Sequence, residues 1–471
     1  MPFTKTPPAI LRKEMRSLLL LAVPVALAEL GWMFMSVVDT AMVGRLNAVA
    51  IGAVGLGGIL YTTIVLFGFG ILLSMDPLVA RSYGAGDIKD CHHTLHQGIF
   101  LALALTIPLM ALTYALPEIL LHWNLNRVVV LAATPFIRVI SWCTLPLLLY
   151  ACLRRYLQAM HRVQSIMIAL LTANLVNFVG DWALIYGHLG LRAHGIVGAA
   201  WATLFSRIYL MGFLALDIIF YERKIRGGLF QQPPRLDWQR IGQMLHLGFP
   251  AATQIILEMG AFAAATVIAG KLAPAALAAH QIALNCATLT YGIPLGIGSA
   301  TAVSVGHALG RKDPHSAIRV GWLGISLGAV LMSLAALMFL LFPGQIMRLY
   351  TTDASVIAIG STLISIAAFF QLFDGIQTVT TGALRGISDT HSAMLLNLIC
   401  YWALGLPLGY ALCFHFHLGV AGVWSGLSLS LVLLAASLLV VWRQRTQSLS
   451  VATIAAAREF TPPAEDVPMA W

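Results

Sequence analysis

Charge is scarce in this sequence. Only 10% of its 471 residues are Asp, Glu, Lys or Arg, against roughly 25% in an ordinary soluble domain. With 59% hydrophobic residues and a mean hydropathy of +0.85, the composition excludes an ordinary water-soluble globule. Cysteine is also sparse and unpatterned. Cys91, Cys143, Cys152, Cys286, Cys400 and Cys413 form no C-x-x-C, which removes support for thiol redox chemistry or a zinc site. No H-E-x-x-H and no nucleophile–base motif occurs, so an intramembrane enzyme is not expected.

Long apolar runs are what the chain does contain. Twelve recur, near 17–43, 50–74, 95–120, 128–152, 164–187, 195–220, 242–270, 276–302, 317–343, 354–382, 392–415 and 418–442. Each can cross a ~30 Å hydrocarbon core as a helix, and open strands cannot satisfy their backbone in lipid. The expectation is an all-α polytopic membrane protein. The N-terminus mimics a secretory signal, with Arg12, Lys13 and Arg16 ahead of Ala26-Leu27-Ala28, yet the apolar stretch runs on to Val43. It reads as a retained first span.

The net charge of +9 comes from residues in short loops and termini, so it reads as a topology signal and not as nucleic-acid binding. With both termini cytoplasmic, the inward side holds Lys5, Arg12, Lys13, Arg16, Arg81, Lys89, Arg154, Arg155, Arg162, Arg223, Lys224, Arg226, Arg235, Arg240, Arg311, Lys312, Arg319, Arg385, Arg443 and Arg445; the outward side holds only Arg45, Arg127, Arg192, Lys271 and Arg348. That bias fits the positive-inside rule and an even number of spans.

The polar segment "YERKIRGGLFQQPPRLDWQR", with Pro233 and Pro234, divides the chain in two. The resulting plan is a cytoplasmic N-terminus (1–16), a first lobe (17–220), a cytoplasmic linker (221–241), a second lobe (242–442) and a cytoplasmic tail (443–471). The halves repeat. At a constant offset of 226, Pro24, Gly44, Leu46, Ala50, Ala53, Gly70, Gly84 and Asp87 fall on Pro250, Gly270, Leu272, Ala276, Ala279, Gly296, Gly310 and Asp313. Six spans separate equivalent positions, so the halves run in the same direction as two pseudo-symmetric six-helix lobes facing a central cavity, an arrangement typical of alternating-access transporters.

Five acids fall inside these spans: Glu29, Asp39, Asp181, Glu258 and Asp374. An ionised Asp at a span centre costs ~2.5–3.5 kcal/mol on insertion scales, so each must face a cavity, bind a cation or be protonated. Gln254 shares a helix face with Glu258, as Gln371, Gln377, Thr378 and Thr381 do with Asp374, and Asn174, Asn177 and Asp181 lie on one face of the fifth span. These oxygens suit Na⁺ at Glu258 and Asp374, while a single carboxylate suffices for H⁺. Glu29, nearer the cytoplasmic half, is placed at the cavity entrance. Arg207, inside the sixth span, is within pairing reach of Asp181. Glu258 aligns with Trp32 and Asp39 with Ala265, a displacement of about two helical turns, ~10 Å in depth.

The stretches "LAVPVALAELGWMFMSVVDTAMVGRL", "PLVARSYGAGD", "GFPAATQIILEMGAF", "AAHQIALN", "IPLGIGSATAVSVGHALGRKD" and "GALRGISDT" resemble the multidrug and toxic compound extrusion (MATE) family, most closely its NorM-like bacterial branch. The likeness covers nearly all of residues 15–440. It implies a Na⁺- or H⁺-coupled exporter of bulky, often cationic organic compounds in a bacterial cytoplasmic membrane, with no cofactor beyond the coupling ion. Asp39, Glu258 and Asp374 match the branch's cation-site acids, and Asn177 with Asp181 matches the Asn-x-x-x-Asp of the DinF-like branch. Phe370 stands where some Na⁺-coupled relatives carry tyrosine, which removes a hydroxyl. A lipid-linked saccharide flippase of the same superfamily is the alternative; it would be expected to place several cations in the cavity, whereas Arg207 stands alone there.

The remaining features have plainer readings. Asp76 and Asp353 are expected at the interface. "CHHTLHQG" (91–98) offers His92 and His96 one turn apart without the further ligands of a zinc site. Gly292, Gly296 and Ala300 read as a helix-packing stripe, and Pro24, Pro250 and Pro294 as kinks. A closed two-lobed fold needs no partner, so a monomer is expected.

Overall fold

A computed structural model describes residues 7–46, 48–122, 127–225, 228–231 and 235–459. Lys5, Arg226, Pro233 and Pro234, used above in reading charge and linker, lie outside the described residues, as does the tail beyond Glu459. The first half comprises α1 (Pro8–Val43), α2 (Ala48–Leu72), α3 (Met75–Gly84), α4 (Ile88–Leu121), α5 (Arg127–Ser141), α6 (Thr144–Ala159), α7 (Val163–Tyr186) and α8 (Ile196–Ile225). The second comprises α9 (Trp238–Ala269), α10 (Pro274–Gly310), α11 (Pro314–Leu341), α12 (Pro343–Arg348), α13 (Ala354–Gly386), α14 (His391–His415) and α15 (Gly419–Glu459). Among the described residues there is no strand. Among the described residues, eleven helices are long and apolar enough to span, or twelve with the bent pair α5–α6.

The repeat in sequence is a repeat in local structure. Asp87 caps α4 by accepting from the Asp90 amide at 3.0 Å, and Asp313, 226 residues on, caps α11 by accepting from the Ser316 amide at 2.9 Å. Each carboxylate satisfies one of the amides that a helix start leaves open.

Two elements depart from the sequence reading. The fourth span is not one straight helix: α5 and α6 meet at a 45° bend across Trp142 and Cys143. Pro146 has no N–H for the carbonyl of Trp142, so the helix breaks there. In α14, two stretches, Leu398–Gly405 and Ala411–His415, wind as π-helix. Pro407 deprives the preceding turn of an α-type hydrogen bond, and Gly405, Gly409 and Gly426 let α14 lie against α15 with no room for a Cβ at the contact. The wider turns absorb the mismatch.

The lobes meet where α1 and α3 pack on α10 and α2 packs on α9. A Cβ on Gly70 would strike the backbone of Ala252, and one on Gly296 the backbone of Ala26. Likewise a Cβ on Gly84 would strike His307, and one on Gly310 would strike Arg81. At the offset of 226, Gly70 and Ala26 correspond to Gly296 and Ala252, and Gly84 and Arg81 to Gly310 and His307. Each contact is therefore paired with its own pseudo-two-fold copy. Small residues let the backbones touch, as in close helix packing generally. Polar contacts close the same end of the seam: Arg319 grips Glu14 (2.7 Å), Arg81 donates to Ser388 Oγ (3.3 Å), and His307 Nε2 lies 2.7 Å from the Ala159 carbonyl.

The histidine-rich start of α4 is a docking point for the linker. Buried Gln97 accepts from the Asp237 amide (3.0 Å) and donates to the Arg235 carbonyl (2.7 Å). His93 Nε2 lies 2.9 Å from Asp237, and Arg240 pairs with Asp90. The imidazole of His93, then the amides of Arg240 and Gln239, hold the exposed Asp237 carboxyl below its usual range.

Gly296→Leu should open the seam at a cost of about 1–3 kcal/mol, the usual penalty of overpacking, read as a lower melting temperature of the detergent-purified protein. Gly58→Leu, whose Cβ would meet nothing within 4 Å, should melt close to wild type. Equal melting of the two variants would show that the lobes do not touch backbone to backbone.

Candidate functional site

In the second lobe, α9 and α13 face each other with an acid on each. Glu258 and Asp374 are both buried and lie within electrostatic reach of each other. Gln377, three residues beyond Asp374, joins them. Its Nε2 donates to Glu258 Oε1 at 3.1 Å, lies 3.4 Å from Asp374 Oδ1, and reaches Thr378 Oγ1 at 3.2 Å. Gln254 flanks Glu258 from one turn earlier in α9. Tyr291 of α10 sits beside Thr378, and both Tyr291 and Tyr401 of α14 have the two acids in their electrostatic surroundings. Trp402 Nε1 donates to the Leu257 carbonyl at 2.9 Å, fixing α14 to α9 next to Glu258. Among the described residues no Lys or Arg forms an ion pair with Glu258 or Asp374.

Two of the supporting residues sit apart from the acids. Gln371 donates to Thr290 Oγ1 at 2.6 Å, so its amide is tied to α10. Phe370 stacks on Trp424 of α15, with ring centroids 5.7 Å apart, and Trp424 in turn donates to His280 Nδ1 at 2.9 Å. At this position the ring belongs to the core.

The first lobe gathers Asp39 of α1 with Asn177 and Asp181 of α7, and Arg207 of α8 nearby. Asn177 and Asp181 are fully buried, and both lie within hydrogen-bonding reach of Asp39. Arg207 does not pair with Asp181 as the sequence suggested. Its guanidinium lies 3.7 Å from the centroid of Trp32, which stacks on Tyr150. The aromatic face attracts the cation without neutralising the acids. Asn174, on the same helix face as Asn177, donates to the Gly31 and Leu170 carbonyls at 3.0 and 2.8 Å. Its amide nitrogen thus fastens α7 to α1, and its Oδ1 remains unpartnered.

A third cluster corrects the sequence reading at several points. Glu29 pairs with Arg154 and so is not a free acid at the entrance. Asp76, expected at the interface, is fully buried and faces Arg155 at 3.4 Å and Arg385 at 3.5 Å. Arg155 also donates to Ser299 Oγ at 3.0 Å, and Gln158 donates to the same oxygen at 2.7 Å. Arg154 and Arg155, assigned above to a cytoplasmic segment, are buried, so Arg207 is not the lone cation inside the bundle. Because Asp76, Arg155 and Gln158 belong to the first lobe and Ser299 and Arg385 to the second, this cluster bridges the seam. A separate cavity of about 520 Å³ lies between α3, α4 and α9, lined by Arg81, Asp90, Arg240 and His246 among others. None of the candidate cation ligands faces it.

The spacing rule that placed Gln371 and Thr378 beside Asp374 applies equally to Gln377. Tyr291 is one residue before the Gly292 stripe and carried no signal of its own. Tyr401 lies in a π-helical turn, where α-helical spacing does not predict the face a residue presents.

Comparison with known proteins follows the same outline. A family model described as MatE matches residues 24–183 and 250–411. The chain is 34% identical over 448 residues to "Probable multidrug resistance protein NorM" of Mesorhizobium japonicum, covering 94% of this chain and 96% of the relative. It is 32% identical over 444 residues to "Multidrug resistance protein NorM" of Aliivibrio fischeri, covering 92% and 96%. Among solved structures, the eukaryotic MATE transporter AtDTX14 superposes with a TM-score of 0.83 at 19% identity, covering 93% of this chain and 98% of that one. An outward-facing MATE family transporter of the MOP superfamily gives 0.81 at 19% identity, covering 93% and 97%. These likenesses carry the two-lobed fold.

Asp76→Asn would leave Arg155 and Arg385 buried beside a neutral group. Removing one member of a buried ion pair costs about 3–5 kcal/mol, so a large fall in melting temperature is expected. Arg445→Gln, which breaks a pair whose arginine is 56% exposed, should cost about 0–1 kcal/mol. Similar melting of both variants would remove the case for a buried bridge.

Proposed function

The chain belongs to the MatE family, and on that premise we propose that it is a secondary active multidrug antiporter. It exports organic, mostly cationic compounds across a bacterial cytoplasmic membrane in exchange for Na⁺ or H⁺, with both termini inside, and works as a monomer by alternating access. The observation that carries this reading is the buried Glu258–Asp374 pair with no basic partner among the described residues. Two carboxylates at that depth need a positive species. Asp39 and Asp181 make a second acidic pair in the other lobe.

The cation is cargo, admitted from one side and released to the other as the lobes rock about the glycine seam. A carboxylate that holds either the coupling ion or a cationic substrate, but not both, links their movements in opposite directions. The driving force is adequate. One charge crossing 100 mV is worth ~2.3 kcal/mol, and a tenfold concentration gradient adds ~1.4 kcal/mol. The arginines of the third cluster do not make the cationic cradle expected of a saccharide flippase, because Glu29 and Asp76 already face them.

Efflux of a cationic dye from proteoliposomes, driven separately by a pH gradient and by a Na⁺ gradient, tests this directly. Wild type should respond to at least one gradient. Glu258→Gln and Asp374→Asn should each slow the gradient-driven component by roughly tenfold or more, the equivalent of ~1.4 kcal/mol. Full efflux in both variants would overturn the exchange of cations at this pair.

A further inference from the structure

Gln377 stands at the point where a shared cation would have to sit. Its Nε2 is 3.1 Å from Glu258 Oε1 and 3.4 Å from Asp374 Oδ1, so among the described residues the amide nitrogen is the one group hydrogen-bonded to both acids. The other end of the same amide is in the opposite condition. Gln377 is 1% exposed, and its Oε1 has no hydrogen-bond partner among the described residues. A buried carbonyl left unpaired is unfavourable, and this side chain is satisfied at one end only.

A primary amide is nearly symmetric in shape and opposite in character across its axis: two donors on nitrogen, acceptor lone pairs on oxygen. The torsion that exchanges them is broad and roughly two-fold. Half a turn therefore changes the chemistry at the acids without changing the packing around them. With the acids unoccupied, nitrogen must face them, since a carbonyl there would add a third negative dipole end. With Na⁺ between them, oxygen must face them, because the amide hydrogens would point at the ion. With a proton on either acid, its O–H gains an acceptor by the same turn.

The geometry points to Gln377 as a reversing ligand. Its nitrogen fills the cation's place when Glu258 and Asp374 are empty, and its oxygen joins them when a cation arrives. This rests on the reading that those acids exchange a cation, and adds that a neutral residue between them changes sign of contact in each cycle. The other groups facing the acids, Gln254 on α9, Tyr291 on α10, Thr378 on α13 and Tyr401 on α14, include none that contacts both by hydrogen bond among the described residues.

Infrared difference spectroscopy of the purified full chain, cation-loaded minus cation-free, reads the amide itself. Separate arms use Na⁺ at fixed pH and a pH step without Na⁺, with isotope binding and proton uptake measured alongside. In the arm whose cation binds, wild type should show a shifted glutamine carbonyl band that is absent from Gln377→Leu. Leucine removes the donor, which favours both cations alike, and removes the oxygen, which penalises Na⁺ far more than H⁺. The ratio of Na⁺ to H⁺ affinity should therefore fall at least about tenfold. Gln377→Glu, which restores an oxygen at the same position, should recover Na⁺ binding and serves as the control for correct folding. Cation binding by wild type with no change in the glutamine band, or an unchanged band in Gln377→Leu, would overturn the role of Gln377. Absence of any cation binding by wild type would instead overturn the antiport reading, and with it the premise.

Discussion

The lobes of this protein meet as backbone against backbone, and the rest of the structure is arranged around that contact. Gly70 on Ala252 and Gly296 on Ala26 form one pair of related contacts; Gly84 on His307 and Gly310 on Arg81 form the other. With no side chains between them, the facing helices sit close enough for Asp76, Arg155, Ser299 and Arg385 to share a buried cluster across the seam. Helix surfaces with ordinary side chains would stand off from each other, and short bridges of that kind could not form. In lipid, where apolar association between helices is weak, such small-residue contacts and buried polar bridges are what distinguishes one arrangement of the lobes from another.

Acids are treated differently on either side of that seam cluster. Glu29 and Asp76 face guanidinium groups and have a structural role. Among the described residues, Glu258 and Asp374 have amides, hydroxyls and each other as neighbours and no basic partner. Asp39 and Asp181 fall between these cases, with Arg207 nearby but turned onto Trp32. An acid at that depth with no counter-charge at all would be too costly to keep ionised. The amide contacts at Glu258 and Asp374 are an intermediate solution that stabilises charge without supplying a counter-charge.

Much of this was legible in the sequence, for definite reasons. Span positions follow from apolar length alone, because the bilayer fixes how long a helix must be; the observed α7, α10 and α13 begin within a few residues of the expected 164, 276 and 354. The 226-residue repeat singled out Gly70, Gly84, Gly296, Gly310, Asp87 and Asp313, and their places at the seam and at the helix caps came from the structure. Pairings between distant segments were not legible. Nothing in the local sequence says that Arg154 and Arg155 turn inward to Glu29 and Asp76, since two arginines after an apolar run look like any cytoplasmic loop. The break at Trp142 and Cys143 and the π turns of α14 also escaped, because one shifts the direction of a span and the other its periodicity. Tyr401 was missed for that second reason; Gln377 was placed beside Asp374 by its spacing, but not its contact with Glu258 on another helix.

The last helix runs for 41 residues, Gly419 to Glu459. At about 1.5 Å per residue it is ~60 Å long, roughly twice the thickness of the hydrocarbon core. It packs along α13, and Arg445 pairs with Asp389 just beyond that helix, so the rod belongs to the second lobe. Geometry alone makes so long a rod a lever arm: were its lobe to tilt, the far tip would travel further than the residues beside the seam.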